Sequence, residues 1–144
     1  MQLTEIESAA LRMLLAGDHP VLNSLRNQLT HAVLVSREVS DAGFNTYFRV
    51  PDSVARHSGG GKVILSDVYA TITGLESPAS FLLFTNNGML DLLECNITDL
   101  VWPRDGKLVE IYYMAQPDFD NAKGGPLKRV EQRDMREVLR YVAV

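Results

Sequence analysis

Apolar residues recur every three or four positions through the first part of the chain, and every second position from His31 onward. The first period is that of a helix and the second that of a strand, because side chains return to one face after about 3.6 residues in a helix and after two in a strand. Ile6, Ala10, Met13 and Leu14 fall on one helical face. Thr4 and Glu7 ahead of them spell a capping box, in which each side chain accepts a hydrogen bond from a backbone N–H left free by the first turn. Gly17 suits the end of that helix. Pro20 suits the start of a second, whose stripe is Val21, Leu25 and Leu29. Only Asp18 and His19 lie between, so the two helices are expected to form a tight pair.

The period-two region predicts a series of strands. Val33, Val35 and Val39 alternate with Leu34, Ser36 and Glu38, which reads as a strand with the valine face largely buried. Asp41-Ala42-Gly43 turns the chain, Phe44, Thr46, Phe48 and Val50 share the next face, and Pro51 stops it. After a loop over 52–61, the stretch from Lys62 to Cys95 spells a β-meander. Alternation over 63–73 is broken by Gly74-Leu75-Glu76-Ser77-Pro78, resumes from Phe81 to Thr85, and turns at Asn86-Asn87-Gly88. The Asn-Gly pair is a hairpin signal, since both residues tolerate positive φ. Ile64, Val68, Ala70 and Ile72 are assigned to a core face, and Leu65, Asp67, Tyr69, Thr71 and Thr73 to a wetter one. Phe81-Leu82-Leu83-Phe84 is apolar on both faces and belongs near the middle of the sheet.

One more strand runs over 108–114, followed by a loop over 116–126. Asp134 then caps a short helix striped by Met135, Val138, Leu139 and Val142. The order predicts a single α+β domain over 1–144. It has an antiparallel β-sheet of five to six strands, with an N-terminal helix pair and a short C-terminal helix packed on one face.

The ordered motifs Gly43-Phe44-x-x-x-Phe48-x-Val50-Pro51, Asp67-Val68-x-Ala70-x-Ile72-x-Gly74-Leu75, Phe81-x-Leu83, Leu93-Glu94 and Trp102-Pro103 resemble those of an uncharacterised family of short bacterial cytoplasmic proteins. The likeness runs from about Leu3 to Pro103. It implies a small bacterial cytoplasmic protein, and no catalytic residue comes with it.

Composition narrows the function classes. A hydrophobic content of 46% against 22% charged residues excludes wholesale disorder. The lone Cys95 cannot form an internal disulfide, no run is long enough for a membrane helix, and the N-terminus lacks a signal-peptide layout. These readings point to the cytoplasm, with no membrane partner. Charge is uneven: 91–120 holds seven acids against two bases, and 123–140 holds six bases against three acids. Such asymmetry can steer a partner or draw two copies into a homodimer.

Candidate chemistry is sparse. Gly59-Gly60-Gly61-Lys62 fails as a phosphate loop, because Arg56 stands where a glycine is needed, Val63 follows the lysine, and a strand comes next. His19, His31 and His57 lack metal-ligand spacing, so neither metal nor cofactor is expected. Cys95 sits among Leu92, Leu93 and Ile97 as a buried, inert thiol. Asp91 and Glu94, three apart on a strand, point to opposite faces. Arg133, Arg136 and Arg140 share a helix face, but Glu131 and Glu137 dilute it, so no nucleic acid is expected.

Two functional readings remain. The leading one is a small acidic, non-catalytic protein-interaction module with a basic partner, inhibitor- or immunity-like. Its binding residues would be Asp99, Trp102, Asp105, Glu110, Tyr112, Asp118 and Asp120, carboxylates interleaved with rings. The alternative is a small-molecule-binding or enzymatic pocket on the wetter sheet face, built from Arg49, His57, Asp67 and Tyr69. For Asp67 alone, a solvent-side charge is the plainer expectation.

Overall fold

The computed structural model describes residues 1–58, 62–116 and 126–139. Of the residues read above, Gly59, Gly60, Gly61, Asp118, Asp120, Arg140 and Val142 lie outside them. The elements run α1 (Glu5–Leu14), α2 (Pro20–His31), β1 (Val33–Ser40), β2 (Gly43–Arg49), β3 (Ile64–Ile72), β4 (Ala79–Asn86), β5 (Met89–Asn96), β6 (Leu108–Ala115), β7 (Lys128–Val130) and α3 (Met135–Leu139). The strands form one sheet in the order β1-β2-β5-β4-β3-β6-β7, antiparallel throughout. The α+β architecture holds with one strand more than expected. That strand, β7, is only three residues long, too short to announce itself by alternation.

Local signals translate directly into geometry. The capping box forms in full, with Thr4 N–H donating to Glu7 Oε1 at 2.7 Å and Glu7 N–H to Thr4 Oγ1 at 3.1 Å. Pro20 opens α2, and the imidazole of His19 accepts from Val21 N–H at 3.2 Å as its cap. Asn87 and Gly88 both take positive φ, 56° and 79°, as a two-residue hairpin turn demands. At Gly43 (φ 134°) a Cβ would lie 1.9 Å from the carbonyl oxygen of Cys95 on β5, so only glycine lets the two strands close. The doubly apolar β4 occupies the centre of the sheet.

The helices do not pair chiefly with each other. α1 rests on β3, β4 and β6, and α2 rests on β5. Leu11, Leu14, Leu22 and Leu25 are buried against Leu65, Val68, Phe81, Leu83 and Leu93 in one core cluster. Each such leucine contributes roughly 1.5–3 kcal/mol by leaving water. Gln28 stitches α2 to the hairpin without an unmet polar atom: its amide donates to Ala55 O and Gly88 O and accepts from Leu90 N–H.

Two bulges overturn the face assignments. In β3, Leu65 pairs with Leu83 and Val68 with Phe81, so Ser66 and Asp67 together oppose the single Leu82. The extra residue shifts the phase. Leu65 therefore joins the core with Val68, Ala70 and Ile72, while Ile64 moves to the wetter face. In β1, Val35 is the extra residue between Leu34, opposite Phe48, and Ser36, opposite Tyr47. β1 is also the sheet edge, and Val33, Val35 and Val39 are exposed rather than buried. An edge strand has a neighbour on one side only, which alternation alone does not reveal.

The bulge also decides the fate of Asp67, expected on the solvent side. It is buried with Arg133, their side chains 2% and 7% exposed, in a bidentate pair at 2.8 and 2.9 Å. Arg133 further donates to Ala16 O at 2.6 Å and lies 5.2 Å from the centre of the Tyr113 ring. The segment after β7 is thus tied to β3 and to the end of α1.

Candidate functional site

The sheet face turned away from α1 and α2 carries a continuous apolar row. Tyr47 on β2 stands opposite Leu92 on β5, Leu92 opposite Phe84 on β4, and Phe84 opposite Ile64 on β3. Facing pairs in adjacent strands bring side chains within reach, so the four form one ridge across the sheet. All are half-buried, and none belongs to the core cluster or packs against it. Two further rows run parallel: Asn45, Glu94 and Leu82, then Asn96, Ser80, Tyr69 and Tyr112. Glu38 of β1, opposite Asn45, accepts a long hydrogen bond from the Tyr47 hydroxyl at 3.4 Å. At the far side Arg129 stacks 4.4 Å over the Tyr112 ring and ion-pairs with Glu110, both charged groups lying open to solvent.

This face also holds a cavity of about 320 Å³ lined by Tyr69, Ser80, Leu82, Met114 and Glu137, with Asp67 at its wall. Burial raises the Tyr69 phenol above its ordinary value, and the carboxylate of Glu137 adds to that effect. Of the four residues proposed for a pocket, only Asp67 and Tyr69 meet here, and Asp67 is committed to Arg133. His57 is buried elsewhere, its Nε2 3.0 Å from Thr85 Oγ1 and its N–H donating to Gly88 O. Burial depresses its pKa. Arg49 is exposed at the end of β2 and does not line the cavity.

The residues proposed for partner binding scatter similarly. Trp102 is 7% exposed and packs edge-to-face on Phe44, ring centres 5.4 Å apart, as core rather than contact surface. Asp99 accepts from the N–H groups of Glu76 and Ser77, at 2.8 and 3.2 Å, and fixes the β3–β4 turn. Asp105 is exposed in the turn before β6. Glu110 and Tyr112 alone share the open sheet face; Asp118 and Asp120 lie outside the described residues.

A second concavity of about 390 Å³ opens on the helix side, between the first turn of α1, β1 and the 102–108 segment. At its wall Glu7, fully buried, accepts from Arg37 Nε at 2.8 Å and Nη2 at 2.5 Å and from the hydroxyl of Thr46. Burial opposes ionisation of Glu7, but the hydrogen bonds from Arg37, Thr46 and Thr4 outweigh it and hold its pKa below the ordinary carboxylate value.

Nucleophile chemistry finds little purchase. Burial pushes the Cys95 thiol up to about 12, where thiolate is negligible near neutrality. Among the described residues no three histidine, cysteine or carboxylate side chains cluster as a metal site. The row on the open face and the helix-side cleft both escaped sequence reasoning. Phe81-Leu82-Leu83-Phe84 carried a signal for the first, since a strand apolar on both faces needs cover on both. No protein-family model, curated protein or solved structure matches the chain at a significant level.

Proposed function

We propose that the chain is a non-catalytic protein-binding module that docks through the sheet face opposite α1 and α2. The observation that carries this reading is the row Tyr47–Leu92–Phe84–Ile64, continuous across four strands and separate from the core. A rigid sheet presents these rings and branched chains at fixed spacing, so little conformational entropy is lost on docking. Tyrosine and phenylalanine at the centre of such a surface supply most of the binding energy.

The partner is a protein with a basic face. Glu38 and Glu94 stand among the apolar rows, Arg129 is neutralised by Glu110, and Arg49 lies at the strand end. The formal charge of −4 over the chain adds long-range attraction for a basic partner. Covering such a surface is the mode of action of an inhibitor or immunity protein. A bacterial cytoplasmic setting completes the reading, supported by the resemblance described above and by the free, buried Cys95.

The test places a photo-crosslinking residue at Leu92 in the full chain and, as a control, at Val109, an exposed position on β6. The expected result is a crosslink to one basic protein from Leu92 only. That protein, purified, should then bind with an affinity that falls as salt rises and is lost in Phe84→Asp. Equal crosslinking from both positions, or salt-independent binding untouched by Phe84→Asp, contradicts the proposal.

A further inference from the structure

We propose that the helix-side cleft is a binding site for a small organic anion with a flat apolar body, such as an aromatic carboxylate. It lies on the other side of the sheet from the docking face and does not depend on that reading. Its volume of about 390 Å³ falls within the range of small-molecule sites. The apolar part of the lining comes from Ile6, Phe44, Trp102 and Leu108. Phe44 and Trp102 hold each other at 73° between ring planes, so this wall is set before any ligand arrives.

The polar part of the lining favours negative charge. Five charged residues line the cleft: Arg37, Arg104 and Lys107 against Glu5 and Glu7, an excess of one cation in a chain whose net charge is −4. Glu7 is not free to repel an anion, because Arg37 grips its carboxylate with two nitrogens and Thr46 and Thr4 supply two more donors. The cation of that pair cancels its charge. The guanidinium of Arg104 and the ammonium of Lys107, in contrast, make no hydrogen bond or ion pair with any described residue.

The segment that presents these two cations is held rigidly. Lys107 N–H donates to Thr73 Oγ1 at 2.8 Å, and Thr73 N–H returns a bond to Lys107 O at 2.9 Å. Gly106 N–H closes a turn onto Pro103 O at 3.0 Å, and a Cβ at Gly106 would lie 2.9 Å from the Ile72 side chain. A pinned backbone bearing uncommitted cations at the mouth of a ring-walled cleft is the arrangement that orients an amphiphilic anion: body against the rings, head toward Arg104 and Lys107.

Trp102 is the only tryptophan, so its indole N–H gives a single reporter inside the proposed site. The experiment titrates the ¹⁵N-labelled full chain with 1-naphthoate and, separately, with the uncharged 1-naphthamide. Naphthoate should shift the Trp102 indole resonance saturably, and the amide should bind about tenfold more weakly. Arg104→Ala with Lys107→Ala should weaken naphthoate binding by about tenfold, with the remaining spectrum unchanged because both side chains are exposed. An indole resonance unmoved at millimolar naphthoate overturns the proposal. So does equal binding of acid and amide, which would mean apolar adsorption, or full affinity in the double variant.

Discussion

The two faces of this sheet are built from the same strands and similar side chains, yet α1 and α2 cover only one of them. On β4, Phe81 and Leu83 point toward the helices and are wholly buried, whereas Leu82 and Phe84 point the other way and stay half-exposed. On β5, Leu93 and Cys95 are buried, while Leu92 and Glu94 are half-exposed. The helix-side residues contact α1 and α2 through one continuous cluster; the others touch mainly their cross-strand neighbours. Hydrophobicity along the strand therefore does not separate a core position from an open one, and cover does.

Neighbouring truncations on β4 should expose that difference most sharply. Leu83→Ala opens a cavity in the sealed core and is expected to cost about 3–5 kcal/mol. Leu82→Ala, one residue away, should cost about 1 kcal/mol or less, since water already reaches it. Urea midpoints of the two variants check the pair.

Next in size is the clamp that ties the chain end to the sheet. Arg133→Met strands the carboxylate of Asp67 in a buried site and should cost about 3 kcal/mol, with part of it recovered in Arg133→Met with Asp67→Leu. Denaturant unfolding of the single and double variants measures that recovery.

Acid should loosen the helix side before it touches the open face. His57 and Glu7 both have folded-state pKa values below their ordinary ones of 6.5 and 4.5. For a depressed pKa, the stabilisation is present above the unfolded value and lost as pH falls through the folded one. Stability should therefore decline in two stages, below pH 6.5 and again below pH 4.5. His57→Gln should flatten the first stage and Glu7→Gln the second, as read from thermal midpoints across pH.

The smallest effect concerns Cys95. Its thiol is raised to about 12 from an ordinary 9.0, so alkylation at pH 8 should be at least about tenfold slower in the folded chain than in urea. Labelling rates followed by mass spectrometry give the ratio.

Much of the architecture was legible because local chemistry and global position agree. Thr4 and Glu7, Pro20, Asn87 and Gly88, and the doubly apolar β4 each impose a conformation that their surroundings also require. The misreadings arose where tertiary context intervened. A single inserted residue at Ser66–Asp67 reversed the facing of Ile64 and Leu65, and no composition marks such a bulge. Edge placement exposed the valines of β1. Trp102 reached Phe44 across about sixty residues of sequence, a distance that periodicity cannot span. The open face was half-visible in Leu82, Phe84 and Leu92. Their alignment into a ridge with Tyr47 and Ile64 needed the strand order, which follows from pairing rather than from any one segment.

The most direct measurement of this account pairs stability and binding in one variant, Phe84→Asp. The reading predicts that its urea midpoint falls by no more than about 1 kcal/mol of equivalent stability while crosslinking from Leu92 to the basic partner disappears. Global unfolding of Phe84→Asp, or a stable variant that still crosslinks like the parent chain, would contradict it.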